Sequence, residues 1–382
     1  MKILAIDIGT GTQDILLFDT ETQVENCLRM IMPSPTALVA QQIRKATARG
    51  EDVVLTGTLM GGGPSSWAAD DHLRAGRRVY ATPSAAKSFN DELAEVEKSG
   101  IQVVSEDEAV KLDALRVRRV EMRDVDLGAL HRAFAAFNID LKFDALAIAV
   151  FDHGNAPANY SDRLFRFEFL AERLKQFNSP AAFAFMREQI PPRLTRMQAV
   201  ANSVGATLRG RPGMGNNHTG LPLLVMDTAP AAVLGALEDD RVRAHRQAII
   251  VNAGNFHTLA FRFTDGNISG VFEHHTGELK PAQLESFIAQ LADGTITHDA
   301  VFNSKGHGAF VFDPHAQPLE FLAVVGPRRG LLLNSRYHPY FATPYGDMML
   351  AGCFGLVRAY AMLNPNAAEE INQTLDRARE IV

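Results

Sequence analysis

The residues with the clearest chemical meaning form a short turn of glycine and threonine directly after an apolar strand and an aspartate. The segment Asp7-Ile-Gly-Thr-Gly-Thr12 ends one strand pattern and leads into another, which predicts a hairpin turn of small residues. Such residues let backbone N–H groups approach an anion, and the oxygens of a triphosphate are natural ligands. Glycine-rich hairpin turns that bind nothing are also common, so both interpretations stay open. The predicted anion-binding residues are Gly9, Thr10, Gly11 and Thr12.

The surroundings of this turn exclude the two commoner nucleotide-binding motifs. The sequence has no Walker lysine motif, and Gly11 is followed by Asp14 and a strand instead of a third glycine that opens a helix. The carboxylate of Asp7 would repel phosphates unless a cation lay between them. We therefore predict Mg²⁺ at Asp7, held largely through water, with capping of the hairpin turn as the alternative role.

The pattern around Asp7 returns in the second half of the chain. Ile6-Asp-Ile-Gly9 corresponds to Val251-Asn-Ala-Gly254, and a turn, an apolar strand, a polar turn and another strand follow in both copies. This repetition predicts a duplicated fold. The expected strands are residues 2–8, 14–19 and 24–30 in the first copy, and residues 247–251, 257–263 and 268–273 in the second.

Alternating strand and helix patterns lie between the two copies, which predicts an α/β protein. Residues 53–57 and 145–151 have the apolar character of buried parallel strands, and each precedes a helical pattern. Residues 109–140 are rich in charge and predict a strand and a helix of a side insertion. We expect a first domain at residues 1–240, with insertions, and a second domain at residues 241–382.

The composition narrows the classes of partner. A net charge of -6 over 382 residues provides no broad basic surface, so we expect no nucleic acid partner. No apolar segment reaches the length of a membrane span, and the apolar run at the N-terminus breaks at Asp7, before the length of a signal peptide. Two isolated cysteines cannot form a disulfide framework. We expect a cytoplasmic protein with a small-molecule substrate.

Polar residues at the ends of predicted strands are the other candidates. Asp227 ends a strand before a helix, where ligand-handling groups of α/β sheets collect, although an aspartate there also serves as a helix N-cap. Asp152 and His153 follow another strand and are candidate substrate residues, with a capped turn as the alternative. A polar loop between glycines gives the remaining substrate candidates, Asn216, Asn217 and His218.

Five histidines in the second half of the chain are further candidates for metal ligands. His274, His275, His298, His307 and His315 crowd one part of the chain, but none shows the helical spacing of a motif such as H-E-x-x-H. The sequence therefore predicts a metal at Asp7 and none at the histidines.

Five segments in a fixed order resemble the acetate and sugar kinase, Hsp70 and actin superfamily over nearly the whole chain. They are the two phosphate motifs at residues 7–14 and 252–258, the connecting motifs at residues 225–235 and 349–355, and the adenosine motif at residues 323–330. The resemblance implies two ribonuclease H-like domains that face each other with ATP in the cleft. It implies a catalytic role for Asp7 and a role as general base or water-orienting group for Asp227. The nucleotide contacts that it implies are Asn252, Gly254, Asn255, Gly326, Pro327 and Arg328.

More narrowly, the chain resembles a branch of the superfamily that is labelled as pyruvate formate-lyase activating enzymes. A radical activase needs three closely spaced cysteines for its iron–sulfur cluster, and this chain has two, far apart. The leading hypothesis is instead an ATP-dependent phosphotransferase or ATPase that acts on a small molecule. One alternative, favoured by Asn252 in place of the usual aspartate, is a nucleotide-controlled chaperone-like or activator protein with a protein client. Another, favoured by Pro327, is a scaffold that has lost ATP.

Overall fold

The structure is a computed structural model, and it describes residues 1–113, 116–209, 220–315 and 319–377. Within these ranges, no helix combines the length and the apolar character that a membrane crossing requires. The strands are β1 (Lys2–Ile8), β2 (Thr12–Asp19), β3 (Leu28–Pro33), β4 (Asp52–Gly57), β5 (Val79–Ala81), β6 (Gln102–Val103), β7 (Val117–Met122), β8 (Ala145–Val150), β9 (Ala184–Met186), β10 (Leu223–Asp227), β11 (Ala248–Ala253), β12 (His257–Thr264), β13 (Asn267–His275), β14 (Gly306–Val311), β15 (Leu322–Val325) and β16 (Tyr340–Phe341). The helices are α1 (Pro35–Arg49), α2 (Pro64–Arg74), α3 (Pro83–Ala86), α4 (Leu93–Lys98), α5 (Glu106–Lys111), α6 (Leu127–Ala135), α7 (Asp162–Gln176), α8 (Thr195–Arg209), α9 (Thr228–Ala236), α10 (Asp240–Arg243), α11 (Pro281–Ala292), α12 (His298–Asn303), α13 (Ala351–Leu363) and α14 (Pro365–Arg377).

Two six-stranded sheets share the arrangement of five of their strands. The first has the order β3-β2-β1-β8-β10-β9, and the second has the order β14-β13-β12-β11-β15-β16. In both, three consecutive strands form an antiparallel meander, and the first strand of the meander pairs in parallel with a strand that comes later in the chain. The prediction of an α/β protein is confirmed, and the repetition in the sequence corresponds to a repeated strand order.

The carboxyl ends of three parallel strands meet at one edge of the first sheet. Ile8 of β1 pairs with Val150 of β8, which also pairs with Asp227 of β10. All six residues of β8 are buried, as the uninterrupted apolar pattern predicts. The residues that follow β1, β8 and β10 therefore lie side by side.

A third sheet was not predicted from the sequence. It has four parallel strands in the order β6-β5-β4-β7 and a separate apolar core. The strand predicted at residues 53–57 exists as β4, but it belongs to this inserted sheet because its partners are β5 and β7. The strand predicted at residues 24–30 was also misplaced. Val24–Asn26 forms a 3-10 turn, in which the Asn26 N–H donates to the Gln23 carbonyl, and β3 begins at Leu28.

The helices cross the predicted domain boundary at residue 240, although each six-stranded sheet lies on one side of it. α9 follows the first sheet, but its residues Ala229 and Val233 share a core with Phe261 of the second sheet. Conversely, α13 and α14 follow the second sheet and pack on the first, where Phe354 and Ile371 join its core. The division into residues 1–240 and 241–382 stays a prediction.

α9 and α13 cross at two glycines with their backbones in contact. A Cβ atom on Gly235 would lie 1.7 Å from the carbonyl oxygen of Ala351, and one on Gly355 would lie 1.9 Å from that of Ala231. No side chain fits at either position. The crossing sets the distance between the helices that join the two sheets.

Substitution of Gly355 with alanine should therefore force the two helices apart. We expect Gly355→Ala to lower the free energy of unfolding by about 1–3 kcal/mol, the usual cost of overpacking. Thermal and urea unfolding of the full chain measure this change. The matched control is Gly330→Ala, because no atom lies within 4 Å of a Cβ at Gly330; an equal loss in both variants would contradict the explanation.

Candidate functional site

A cavity of about 850 Å³ opens where the two six-stranded sheets meet. Its lining comes from the hairpin turn of each sheet, from the loop after β8 and from the first residues of α9 and α13. The inserted sheet contributes loops at residues 59–63 and 87–92. The predicted residues in this lining are Asp7, Gly9, Thr10, Thr12, Asp152, His153, Asn252, Gly254, Asn255, Gly326 and Pro327.

The two hairpin turns have the same geometry. The Gly9 N–H donates to the Thr12 carbonyl at 2.9 Å, and the Gly254 N–H donates to the His257 carbonyl at 3.0 Å. The turns also approach each other, since a Cβ on Gly11 would lie 2.7 Å from Asn255 Nδ2. Close approach thus requires a glycine at Gly11 and, with a Cβ only 2.7 Å from the His257 carbonyl oxygen, at Gly254, and the turns face one space.

The predicted adenosine segment lies beside the second turn. Gly326 has a φ of +96°, and a Cβ there would lie 2.5 Å from the Ala253 carbonyl oxygen. The backbone N–H of Arg328 donates to the same oxygen at 2.9 Å. Gly326 and Pro327 line the cavity, whereas the side chain of Arg328 is exposed and outside the lining.

Asp7 and Asp14 face each other across β1 and β2 and form a carboxylate pair. They are directly paired in the strand register, and their exposed fractions are 8% and 7%. Asp7 accepts a hydrogen bond from Thr228 Oγ1 at 2.6 Å, whereas Oδ1 of Asp14 is buried and has no partner. Burial raises the pKa of Asp7 to about 7, and burial together with the charge of Asp7 raises the pKa of Asp14 to about 8. An unpartnered oxygen beside a second carboxylate is suited to a hard cation.

Asp227 lies in a buried ion-pair network and not in the cavity lining. It is 1% exposed, its Oδ2 accepts a hydrogen bond from Arg166 Nη1, and its Oδ1 accepts one from the Ala229 N–H at 3.2 Å, which caps α9. Burial raises the pKa of Asp227, and the Arg166 guanidinium opposes this. Both the helix cap and the strand-end position that the sequence predicted are present, and the role as general base stays a prediction.

Arg166 joins the two sheets through this network. Its Nε and Nη2 donate to the two carboxylate oxygens of Glu273 at 3.1 and 2.9 Å, and its Nη1 donates to the Asp152 carbonyl at 3.0 Å as well as to Asp227. Burial alone would lower the pKa of Arg166, but the two carboxylates outweigh it and raise that pKa. Asp227 belongs to the first sheet and Glu273 to the second, so one side chain bridges them.

The carboxylate of Asp152 binds backbone N–H groups with both of its oxygens. Its Oδ1 accepts the Gly154 N–H at 2.8 Å, and its Oδ2 accepts the Met197 N–H at 2.9 Å near the start of α8. The capped turn that the sequence offered as the alternative is therefore present. Asn216, Asn217 and His218, the other predicted substrate residues besides His153, lie outside the described residues.

His153 lies in a group of aromatic rings at the cavity wall. Its neighbours are His257 and His307, and one ring nitrogen from each of the three histidines lies within 4.8 Å of the others. Phe151 stacks on His257 at 3.8 Å between ring centroids. The guanidinium of Arg166 lies over the Phe151 ring, 4.2 Å from its centroid. The neighbouring His307 and the Arg166 guanidinium lower the pKa of His153, whose side chain is exposed at the cavity wall.

The sequence predicted no site role for Asp14, Arg166, Glu273 or His257, and it predicted no metal at His307. One signal for Arg166 was available, because it shares a helical stripe with the buried residues Leu170 and Leu174, where a charged residue needs a partner. No local signal could join the histidines, since they come from three separate segments.

A family model matches residues 60–331, and its description reads "Putative pyruvate format-lyase activating enzyme (DUF1786)". The match spans most of the chain. The chain belongs to this family. The family that the sequence resemblance named is thus confirmed, but the activity in its description does not fit the cysteines, because Cys27 and Cys353 are the only two in the sequence.

Solved structures with weak similarity were also found. A ROK family transcriptional regulator, a homolog of the E. coli MLC protein, shares 12% identity with a TM-score of 0.25 and covers 70% of this chain, which spans 37% of that protein. EutJ, an ethanolamine utilization protein from Carboxydothermus hydrogenoformans, shares 12% with a TM-score of 0.31, covering 93% of this chain and 89% of its own. Lmo2764 from Listeria monocytogenes, described as "a putative N-acetylmannosamine kinase", shares 11% with a TM-score of 0.33, covering 95% and 99%.

At such TM-scores the similarity carries no inference about the activity of this chain. No curated protein matches the chain.

The raised pKa values of Asp7 and Asp14 predict how stability depends on pH without metal. The folded state holds these protons more tightly than the unfolded state, so the stability from this source falls as pH rises from about 4 to about 8. We expect Asp14→Asn to gain stability relative to the wild type between pH 5 and pH 8, by about 1–3 kcal/mol, since one pKa unit corresponds to about 1.4 kcal/mol. Urea unfolding in chelator-treated buffer measures the difference.

Asp19→Asn is the control for this experiment. The hydrogen bond from Lys2 keeps the pKa of Asp19 below its usual value against the opposing effect of burial. The contribution of Asp19 to the free energy of unfolding is therefore complete above about pH 4. The difference in that free energy between Asp19→Asn and the wild type should stay constant between pH 5 and pH 8. A constant difference for Asp14→Asn as well would contradict the account of the carboxylate pair.

Removal of Arg166 should strongly destabilise the protein. Arg166→Met leaves two buried carboxylates without their cation, which costs about 3–5 kcal/mol in comparable networks. Adding Glu273→Gln should restore part of the loss, because one of the two charges is then removed. Urea unfolding of the single and double variants tests this, with Arg78→Met, an arginine paired with Asp52 at the surface, as the control with little change.

Proposed function

We propose that this chain is an ATP-binding phosphotransferase or ATPase that acts on a small molecule, with the phosphates of the nucleotide held between the two hairpin turns. The observation that carries the proposal is the pair of equivalent turns facing one cavity. Each turn contains a glycine with no room for a side chain, since a Cβ on Gly11 would lie 2.7 Å from Asn255 Nδ2 and one on Gly254 would lie 2.7 Å from the His257 carbonyl oxygen. Turns of such small residues let backbone N–H groups approach an anion.

The repeated strand order supports a fold of two ribonuclease H-like domains. Five strands of each sheet, β3-β2-β1-β8-β10 and β13-β12-β11-β15-β16, have the same order and the same directions. The cavity lies between the matching hairpins, as an ATP cleft between two such domains requires. The helix crossing at Gly235 and Gly355 agrees with the two connecting motifs of the superfamily.

The residues at the carboxylate pair fit Mg²⁺. The unpartnered Asp14 Oδ1 and the neighbouring Asp7 supply hard oxygen donors, which a magnesium ion binds directly or through water. When bound, the ion would neutralise phosphate charge. Asp7 and Asp14 would hold it, and Thr228 orients Asp7. The N–H groups of Gly9 and Gly254 close the turns, so other backbone N–H groups of the turns would bind the phosphate oxygens.

A specific observation favours a second candidate function, control by nucleotide without turnover. A general base must come within hydrogen-bond reach of the proton that it takes. Asp227 is bound to Arg166 and to the α9 backbone, and it does not line the cavity. With Asn252 in place of an acidic residue, this arrangement suits a protein that binds ATP in order to change its contacts with a client.

Calorimetric titration of the full chain with ATP in millimolar Mg²⁺ tests ATP binding, which both candidate functions require. We expect binding by the wild type and an affinity at least about tenfold lower for Asp14→Asn, equivalent to about 1.4 kcal/mol. Asp19→Asn, which changes a carboxylate outside the cavity lining, should bind like the wild type. Absence of binding at millimolar ATP would exclude both candidates.

ADP formation separates the two candidates once binding is established. ADP formation that increases with a pool of small metabolites, and that Asp7→Asn abolishes while the protein still unfolds cooperatively, supports the phosphotransferase or ATPase. Bound ATP that stays intact supports nucleotide control.

A further inference from the structure

Three histidines from distant parts of the chain meet at the wall of the cavity. His153 follows β8, His257 begins β12 and His307 lies in β14, so the first sheet supplies one ring and the second supplies two. One nitrogen of each ring lies within 4.8 Å of the other two. Nitrogens bound to one zinc ion at about 2.0–2.1 Å are roughly 3.3 Å apart in a tetrahedron, so the rings need to move by little more than an ångström to close on an ion.

Three nitrogens of this group lack partners in the protein. His307 is fully buried, and neither its Nδ1 nor its Nε2 has a hydrogen-bond partner; the buried Nε2 of His257 has none either. A buried polar group without a partner costs about 1–3 kcal/mol. Three such nitrogens in adjacent rings would be costly unless a ligand satisfies them.

The surroundings hold the rings in position. Phe151 stacks on His257 with an interplanar angle of 5°, and Arg166 lies on Phe151 while it binds Glu273. Glu273 Oε2 lies 3.9 Å from His307 Nδ1, beyond hydrogen-bond distance, so both nitrogens of His307 stay available to a ligand.

We propose that His153, His257 and His307 form a binding site for a divalent transition-metal ion of the zinc class, separate from the carboxylate pair. Three imidazoles suit such an ion, whereas the oxygen donors of Asp7 and Asp14 suit Mg²⁺. Three protein ligands leave a coordination position free, as in catalytic zinc sites. His153 and His257 line the cavity, so the free position is available to an oxygen donor of a substrate such as a carboxylate, hydroxyl or phosphate.

The second hairpin connects this site to the proposed phosphate site. The carbonyl of His257 closes the turn by accepting the Gly254 N–H, while its side chain belongs to the histidine group. The metal site itself goes beyond the proposed function and requires no nucleotide.

Titration of the chelator-treated full chain with Co²⁺ tests the site directly. Millimolar Mg²⁺ is kept present so that the carboxylate pair is occupied, and nucleotide is omitted so that the result is independent of ATP binding. We expect one Co²⁺ per chain, visible absorption bands of four- or five-coordinate nitrogen ligation, and competition by Zn²⁺. His153→Ala should lower the affinity by about 100-fold or more, since loss of even an outer partner costs about 10–100-fold.

Two further variants keep this test decisive. His153 is exposed, so the His153→Ala variant should keep its fold. His257→Gln repeats the test with a ligand from the second sheet. Circular dichroism verifies that each variant is folded. His315→Ala removes a histidine that is 85% exposed and outside the group, and it should bind Co²⁺ like the wild type. Absence of stoichiometric binding by the wild type, or equal affinities for the wild type and the folded His153→Ala variant, would overturn the proposal.

Discussion

The arrangement of this molecule depends on one buried guanidinium that serves both six-stranded sheets. Arg166 contacts Asp227 of the first sheet and both carboxylate oxygens of Glu273 of the second, and none of the three side chains is more than 3% exposed. Charges removed from water in this way are tolerated only when each has its partner. Pulling the sheets apart would leave at least one buried charge unpaired, so the network penalises any separation of the sheets at this point.

Two other features also hold the two sheets together, and with the Arg166 network they determine the position of the cavity. The glycine crossing of α9 and α13 brings helix backbones into contact, and α7 places Phe167 and Leu170 in the core beneath the second sheet. The turns at Gly9 and Gly254 therefore face each other because elements far from them are fixed. Close packing of the backbone, and not the turns themselves, decides that their N–H groups share one space.

The sequence predicted the parts of this structure that depend on local pattern. Both hairpin turns, the buried β8 and the strand-end position of Asp227 follow from apolar runs and small residues that are close together in the chain. The inserted sheet was missed because a strand pattern such as that of β4 does not say which strand it pairs with. Register and partner are settled by contacts between distant segments.

Prediction of the site from the sequence is limited for the same reason, because its contacts join segments that are distant in the chain. Asp227 could be identified as a strand-end carboxylate, yet its partner Arg166 lies on α7 and is joined to it only by the fold. The absence of helical spacing predicted no metal at His274, His275, His298, His307 and His315, but spacing reports a metal site only when its ligands share one element. His153, His257 and His307 come from three, and a group of this kind is visible only once the sheets are placed together.

One cavity thus carries two sets of donors with different chemical preferences. The carboxylate pair at β1 and β2 offers hard oxygens, and the histidine group offers imidazole nitrogens. Because Mg²⁺ prefers oxygen and zinc-class ions prefer nitrogen, the two sets need not compete for the same ion. The carboxylates repel phosphate oxygens unless a cation lies between them, so under the proposed function Mg²⁺ at the first set is needed to bring nucleotide phosphates to the turns. The histidine nitrogens, beside the second turn, would then be left to bind an oxygen donor of a second molecule, as transfer between two bound molecules requires.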